Sequence, residues 1–479
     1  MDEIDEILDF AQPVSTIIGK LKVKVVNPPD WALLEKQYNP KLHPVMADKD
    51  NYHDVNTRGG VVHVARITLG YQKLATHRMS QLTFGIPVKR IYNAQNDDEK
   101  TVAGIMEDIY KKNRINAVNM NRGRYFYGAC EFMTIWYTQP MSEGQFTFYG
   151  GQKSNYKIRC RTYSPMLGDK LYPLFDEYGD MIAMSVEYTR KVGTTQSTYF
   201  ETFAANKHYR WVQGTGTSGW MLDVDNGDLD NTIPETGIGK IPGIYEFRPE
   251  PIWEDTSENI FENEWTLSRN SNYLRKNLKP NWVIFSNKPV RGANGKDEDD
   301  KISRNVYRYP ADAKAGYVTW DQAIDNLKFQ TDTIRKEFFE QCQLPDISFE
   351  NMKAVPMSAD SRKMILADAQ LKVTEEEGTW LDAFDRENNV LRAFIGTIWT
   401  NLADAANSLQ IDTKITPYSL ESDSDNIDNG TKACGNQAIM SQKSAIQRYT
   451  DISDPDAELK QIQDEENQRN TSLLENSTI

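Results

Sequence analysis

The stretch ENIFENEWTLSRNSNYLRKNLKPNWVIF, residues 258–285, decides the fold. Ile260, Leu267, Leu274 and Leu278 recur at helical spacing until Lys279-Pro280, where the proline ring removes the N–H that another turn would need. Trp282-Val283-Ile284-Phe285 then reads as a strand. A polar loop from Arg291 to Lys301 follows, with Gly292, Gly295 and the run Asp297-Glu298-Asp299-Asp300, and Val306-Tyr307-Arg308-Tyr309 closes a hairpin-like unit. In WDQAIDNLKFQTDTIRKEF, residues 320–338, the helical period returns: Trp320, Ile324, Leu327, Thr331, Ile334 and Phe338 alternate at four and three. The centre of the molecule is therefore predicted as helix, small β insert, helix.

Outward from this centre, periodicity is weak from Leu344-Pro345-Asp346 to Met357. From residue 358 to about 402 a helical pattern runs for more than forty residues, with Gly378 and Gly396 as points where it can kink. The tail beyond Pro417 is polar. From Glu421 onward it holds twelve acidic against five basic side chains, half of the net charge in an eighth of the chain. On the N-terminal side, residues 61–83 read as a helix carrying Ile67, Leu74, Met79 and Leu82, stopped at Phe84-Gly85-Ile86-Pro87. Residues 99–121 give two more helices, and RYFYGACEFMTIWY (124–137) reads as an aromatic strand. From there to about Pro251 the pattern is mostly β. Alternating runs such as Tyr156-Lys157-Ile158-Arg159-Cys160 and Ser185-Val186-Glu187-Tyr188-Thr189 are separated by turns such as Asp176-Glu177-Tyr178-Gly179-Asp180. There is no internal repeat and no low-complexity block.

Composition narrows the function. The 479 residues allow roughly two to four domains. Fifty-five basic against 69 acidic residues give a net charge of −14, which argues against a protein that grips nucleic acid by neutralising phosphates. The 23 Tyr and 10 Trp suit interfaces as well as cores. Cys130, Cys160, Cys342 and Cys434 stand far apart, so neither a disulfide framework nor a thiolate zinc site is expected, and a reducing compartment fits. The acidic start Met1-Asp2-Glu3-Ile4-Asp5-Glu6 is unlike a secretory signal, and no apolar run is long enough for a membrane span, so a soluble protein that is not exported is expected.

Motifs for chemistry are weak. Gly214-Thr215-Gly216-Thr217-Ser218-Gly219 matches GxGxxG, but the next residues, Trp220-Met221-Leu222-Asp223-Val224, read as strand where a phosphate site needs a helix N-terminus. A glycine hairpin turn is expected instead. Gly237-Ile238-Gly239-Lys240 lacks the spacing and hydroxyl of a P-loop. Asp223, Asp225, Asp228 and Asp230 resemble a calcium loop, but the closing glutamate position falls on Pro234, so a solvated turn is expected. His43, His53, His63, His77 and His208 have no metal-site spacing and read as surface or core residues. No carboxylate pair is singled out for a hydrolase. No catalytic residue, cofactor or metal is expected.

Several strings in colinear order resemble the portal protein family of tailed double-stranded DNA phages, in the branch best known from siphophages of Gram-positive bacteria. They are Phe84-Gly85-Ile86-Pro87-Val88, Asn113-Arg114-Ile115-Asn116, Gly128 within its aromatic stretch, Pro165, Leu171-Tyr172-Pro173-Leu174-Phe175-Asp176 and Ile241-Pro242. Ile439-Met440-Ser441-Gln442-Lys443-Ser444-Ala445-Ile446, followed by Asp454-Pro455-Asp456-Ala457-Glu458-Leu459, is similar to a C-terminal family stretch, with Ser444 where the family has Thr. Residues 358–363 depart from the small-residue-rich start that relatives show for the long helix.

The resemblance implies an α+β, multi-domain portal fold. Its parts would be a mixed wing (1–257 and a long helix in 361–412), two stem helices (258–278 and 320–343), a small β-rich clip (279–319), a tunnel loop (344–360) and a helical C-terminal crown (413–479). It implies a homo-oligomeric ring, a dodecamer in this family, at one capsid vertex of the virion, assembled in the host cytoplasm. Double-stranded DNA would pass loosely through its channel during packaging and ejection. Phe349, Glu350, Asn351, Met352 and Lys353 would line the channel in the tunnel loop, with Lys353 as an isolated guiding cation. Arg291, Lys296, Lys301 and Arg304, with Lys288, Arg308 and Lys314, would form a clip surface for the terminase large subunit and a head-tail adaptor; major capsid and scaffold proteins are further partners. The rival expectations are another capsid or head-completion component and a soluble carboxylate-dependent hydrolase.

Overall fold

The computed structural model describes residues 3–476 apart from 58–59, 194, 206, 215–218, 224–236, 278–280, 286–313, 319–323, 346–365, 419–422, 436–437 and 451–454. The chain divides into two compact units, Met1–Asp346 with Leu371–Pro417, and Ile347–Gln370 with Tyr418–Ile479.

In the first unit, strands Lys170–Phe175, Met181–Val192, Thr195–Ala204, Lys207–Gln213 and Trp220–Leu222 form an antiparallel meander in which each pairs with its neighbour in sequence. Side chains alternate between its faces with the period of two that a pleated strand imposes. Ala183, Phe200, Ala204 and Trp211 meet Leu8, Ile17, Ile18 and Leu21 from helices and turns of the N-terminal segment. On the other face Met184, Val186, Tyr188 and Phe203 meet Met133, Ile135, Tyr163 and Tyr245. The last four belong to a second antiparallel sheet, ordered Gly243–Phe247, Glu131–Pro140, Tyr156–Tyr163.

A helical layer completes the unit. The helix Ala367–Ile398 is 32 residues long, about 48 Å at 1.5 Å per residue. It runs through Gly378 and Gly396 without interruption. Its Val390, Leu391, Phe394 and Ile395 pack with Val102, Ile105, Met106 and Ile109 of helix Asp97–Lys112 and with Trp136 of the second sheet. Trp380 is the aromatic centre: it stacks on Phe132 (5.4 Å, 14°) and meets Phe84 and Phe126 edge-on at 4.7 and 5.0 Å. A buried charge sits in the same layer. The Glu387 carboxylate accepts from Arg122 Nη2 at 2.6 Å and from Trp136 Nε1 at 2.9 Å, while Arg122 Nε donates to Thr134 at 3.0 Å. Arg90 Nη2 also lies 3.6 Å from Glu387 Oε2, so removing the carboxylate would leave buried guanidinium charge uncompensated, at a cost of ~3–5 kcal/mol. Strand Ile411–Lys414 then pairs with Lys89–Tyr92 and ties the end of this segment to the N-terminal half.

Several sequence expectations need correction. Residues 124–137 are not one strand: helix Ile115–Ala129 continues to Ala129, Cys130 turns it off in the left-handed region (φ 61°), and the strand starts at Glu131. The aromatic residues Phe126 and Tyr127 are buried as a helix face. Gly128 lets that helix approach its neighbours, since a Cβ there would lie 2.6 Å from Met166 Cε and 3.3 Å from Thr76 Cγ2. The helix expected over 61–83 begins only at Tyr71, because Gly60–Val62 is a strand and the residues after it are held extended by another helix. Residues 306–309 lie outside the described residues; the strand partner of Asn281–Phe285 is Lys314–Val318, where Ala315-Gly316 hides a strand from propensity.

Other expectations hold. Gly214 N–H donates to Gly219 O at 3.1 Å between two antiparallel strands, a hairpin turn. Asp176 Oδ1 accepts from the N–H groups of Tyr178 and Asp180, an Asx turn. The solvated turn expected at Asp223 is a further correction: Asp223 is buried and takes Arg210 at 2.6 Å, while Asp225, Asp228 and Asp230 lie outside the described residues. The four cysteines are free. In the second unit the described elements after Pro417 are helices Asp423–Ala433, Gln442–Tyr449 and Pro455–Asn476, the second capped by the Ser441 hydroxyl. The chain is thus of mixed α+β class.

Candidate functional site

Two helices, Ser257–Asn277 and Ile324–Gln341, pack side by side, with Gln330 Nε2 donating to Thr266 Oγ1 at 3.4 Å. The chain leaves the first and returns to the second through the antiparallel pair Asn281–Phe285 and Lys314–Val318, with Trp282 opposite Tyr317. Helix, β insert, helix is therefore present as a physical unit.

The inward face of the first helix differs from the leucine stripe expected for it. Ile260 is buried, but Leu267 is half-buried and Leu274 exposed. Beyond Ile260 and Phe261 what the helix buries is polar, with Glu264 and Ser268 followed by the half-buried Asn272, four residues apart. These side chains catch an extended strap. Leu69 N–H donates to Glu264 Oε1 (2.6 Å), Ile67 N–H to Ser268 Oγ (2.8 Å) and Ala65 N–H to Asn272 Oδ1 (2.6 Å). The match is geometric: four helical residues rise about 6.0 Å, and two extended residues span about 6.6 Å, so alternate strap amides meet successive turns. Tyr52 closes the far end, donating to Ala65 O at 2.7 Å and hydrogen-bonding Asn272. The signal was present as polar residues at four-residue spacing. It went unread because polar positions are ordinarily assigned to the solvent face.

The second helix is half-buried at Leu327, Thr331 and Ile334 and buried only near its end, at Phe338 and Phe339. Its outer face carries Phe329, 73% exposed, among Asp325, Lys328, Asp332 and Lys336. The helix ends in a doubly bonded cap. Gln343 lies in the left-handed region (φ 53°), Leu344 N–H reaches Phe339 O (2.9 Å) and Gln343 N–H reaches Glu340 O (3.0 Å). Two cations hold the carbonyls that follow: Lys372 Nζ donates to Cys342 O (2.9 Å) and Arg78 Nη1 to Pro345 O (2.8 Å). Burial pulls the Lys372 ammonium below the ordinary lysine range, with Glu376 opposing it, and pushes the Cys342 thiol up to about 11. The point where the chain passes into residue 346 is thus anchored on the helix, on helix Tyr71–Phe84 and on the long helix.

The expected channel residues Phe349, Glu350, Asn351, Met352 and Lys353 lie outside the described residues, as do Arg291, Lys296, Lys301 and Arg304 and, with them, Lys288 and Arg308. Of the expected clip cations Lys314 is described, and it is exposed. Among the described residues no group of His, Cys, Asp and Glu is placed to hold a metal ion, and no helix is long and apolar enough to cross a membrane.

Long antiparallel meander, long helix and helix–β–helix unit define a multi-part chain of mixed α+β class. Residues 27–472 match the family model "Phage portal protein, SPP1 Gp6-like", and the chain belongs to that family. Its role is that of a portal, a structural part of a phage particle. No curated protein matches the chain. Two solved structures show a remote likeness. A chain of "Neck of empty GTA particle computed with C6 symmetry" has a TM-score of 0.42 at 10% identity, covering 88% of this chain and 94% of that one. A chain of "Virion of native gene transfer agent (GTA) particle" has a TM-score of 0.37 at 9% identity, covering 90% and 96%. Both scores are low, and the family assignment stands on the sequence match.

Proposed function

We propose that copies of this chain close into a ring at one capsid vertex, through which double-stranded DNA enters during packaging and leaves at ejection. The observation that carries this is the helix–β–helix unit in a member of the portal family: two helices that are only half-buried along much of their length in one subunit, the second of them exposing Phe329, have surfaces left for neighbouring copies. In this assignment Ser257–Asn277 and Ile324–Gln341 are the stem. The residues between them are the clip, where Arg291, Lys296, Lys301 and Arg304 meet the terminase large subunit and later a head-tail adaptor. Residues 344–360 are the tunnel loop, the large mixed unit the wing and the helical tail the crown. Major capsid and scaffold proteins surround the ring as it assembles in the host cytoplasm.

A net charge of −14 per subunit serves passage in both directions, because a wall that bound phosphates tightly would trap the duplex it must release. Lys353 then acts as an isolated guide. The chain carries no nucleotide motif, so the energy for packaging comes from the terminase. In a packaging assay with assembled proheads, Lys353→Ala should change the rate of DNA translocation while leaving prohead yield intact; unchanged packaging and ejection rates would refute the guiding role.

A further inference from the structure

Residues that pair directly across strands share a face of the sheet, and so do residues two apart on one strand. In the five-stranded meander Glu187 stands opposite both Lys170 and Phe200, and Trp211 stands opposite both Phe200 and Leu222. Tyr172 is two residues from Lys170, and Trp220 two from Leu222. Tyr172, Glu187, Phe200 and Trp220 therefore project to one side, the side that Leu8, Ile17, Ile18 and Leu21 cover. Lys22 reaches into the space among them. Its Nζ lies 5.1, 5.3 and 5.7 Å from the ring centroids of Trp220, Phe200 and Tyr172, and 2.5 Å from Glu187 Oε2. The Phe200 ring is 5.9 Å from each of the other two, and Glu187 Oε1 is held by Lys170 at 2.8 Å.

We infer that Tyr172, Phe200, Trp220 and Glu187 form a binding site for a primary alkylammonium group, and that Lys22, by filling it, fastens residues 3–22 onto the sheet. Aromatic faces present negative charge density and the carboxylate adds a full charge, so the site favours a cation over a neutral group of the same shape. Lys22 is also the mechanically apt residue. It is the C-cap of helix Val14–Leu21, its own N–H reaching Ile18 O and Lys20 O, so its side chain holds the end of that helix. The chain that follows is pinned separately, by Lys24 on Glu131 at 2.6 Å, with Val23 exposed between the two lysines. Upstream, the cover rests on apolar contacts and on the Lys207–Asp5 pair. Opening the fastening would bare the apolar face at Ala183, Phe200 and Trp211. Lys22 keeps 29% of its side chain in solvent, so a small solute can reach the site.

The test is hydrogen exchange of the full chain, read over residues 14–21 with strand Glu131–Pro140 as the internal reference. Lys22→Ala should speed exchange of 14–21 roughly tenfold or more and leave the reference level. Lys22→Met, which keeps the apolar stem without the charge, should do the same. Ethylammonium chloride supplies the ammonium that Lys22→Ala lacks and should restore protection. Ethanol, its neutral counterpart, and sodium chloride at equal ionic strength should not. Wild-type protection in Lys22→Met, no rescue by ethylammonium, or equal rescue by ethanol would overturn the site. A loss shared equally by the reference strand would make Lys22 a general prop of the fold and overturn it too.

Discussion

Single side chains set local limits that pattern reading does not see. Glu246 lies on the edge strand Gly243–Phe247, in the field of Arg386 and Asp382. Burial pushes its carboxyl up to about 8; Arg386 pulls it down and Asp382 pushes it further up. The unfolded chain has this group at its ordinary value of 4.5, so between about 4.5 and about 8 the folded state keeps a proton that the unfolded state has lost. Glu246 therefore costs stability increasingly as pH rises through that window. Glu246→Gln should stabilise the protein by roughly 1–3 kcal/mol near pH 8, a range lowered for partial solvent access, and by nothing below about pH 4. Urea unfolding at the two pH values checks this; an equal effect at both would exclude the protonated carboxyl.

At the scale of elements, legibility followed the source of each element's stability. Helix Asp97–Lys112 was readable because its own apolar stripe, Val102, Ile105, Met106 and Ile109, builds the core. Helix Ile115–Ala129 was misread at its end, since its aromatic residues and glycines answer to neighbours that only the tertiary fold supplies. The strap was invisible for a related reason: residues 63–69 take their shape from side chains some two hundred positions away. Of the site itself, the paired helices and the first strand of the insert were legible; the partner strand and the polar rungs were not. Phe329 supplies the element-scale test of the proposed ring. On an isolated subunit it is exposed, so Phe329→Asp should leave the unfolding free energy nearly unchanged, within ~0.5 kcal/mol. If the face meets a neighbouring copy, the same change should disperse the assembly in sedimentation; rings that persist would place Phe329 outside the subunit contacts.

Over the whole molecule, the chain joins a mixed unit to an acidic helical tail and carries a net charge of −14. Its colinear family landmarks run through both units, which is why the class was legible from sequence although each string alone is short. A ring built from two different faces of one subunit closes when the rotation between copies divides the circle, and otherwise grows into a filament. The most direct measurement is the mass and symmetry of the purified chain, by light scattering with negative-stain imaging, after co-expression with capsid and scaffold proteins. Rings of about a dozen subunits around a central hole are the predicted result. A compact monomer, both alone and from that co-expression, would contradict the proposed role.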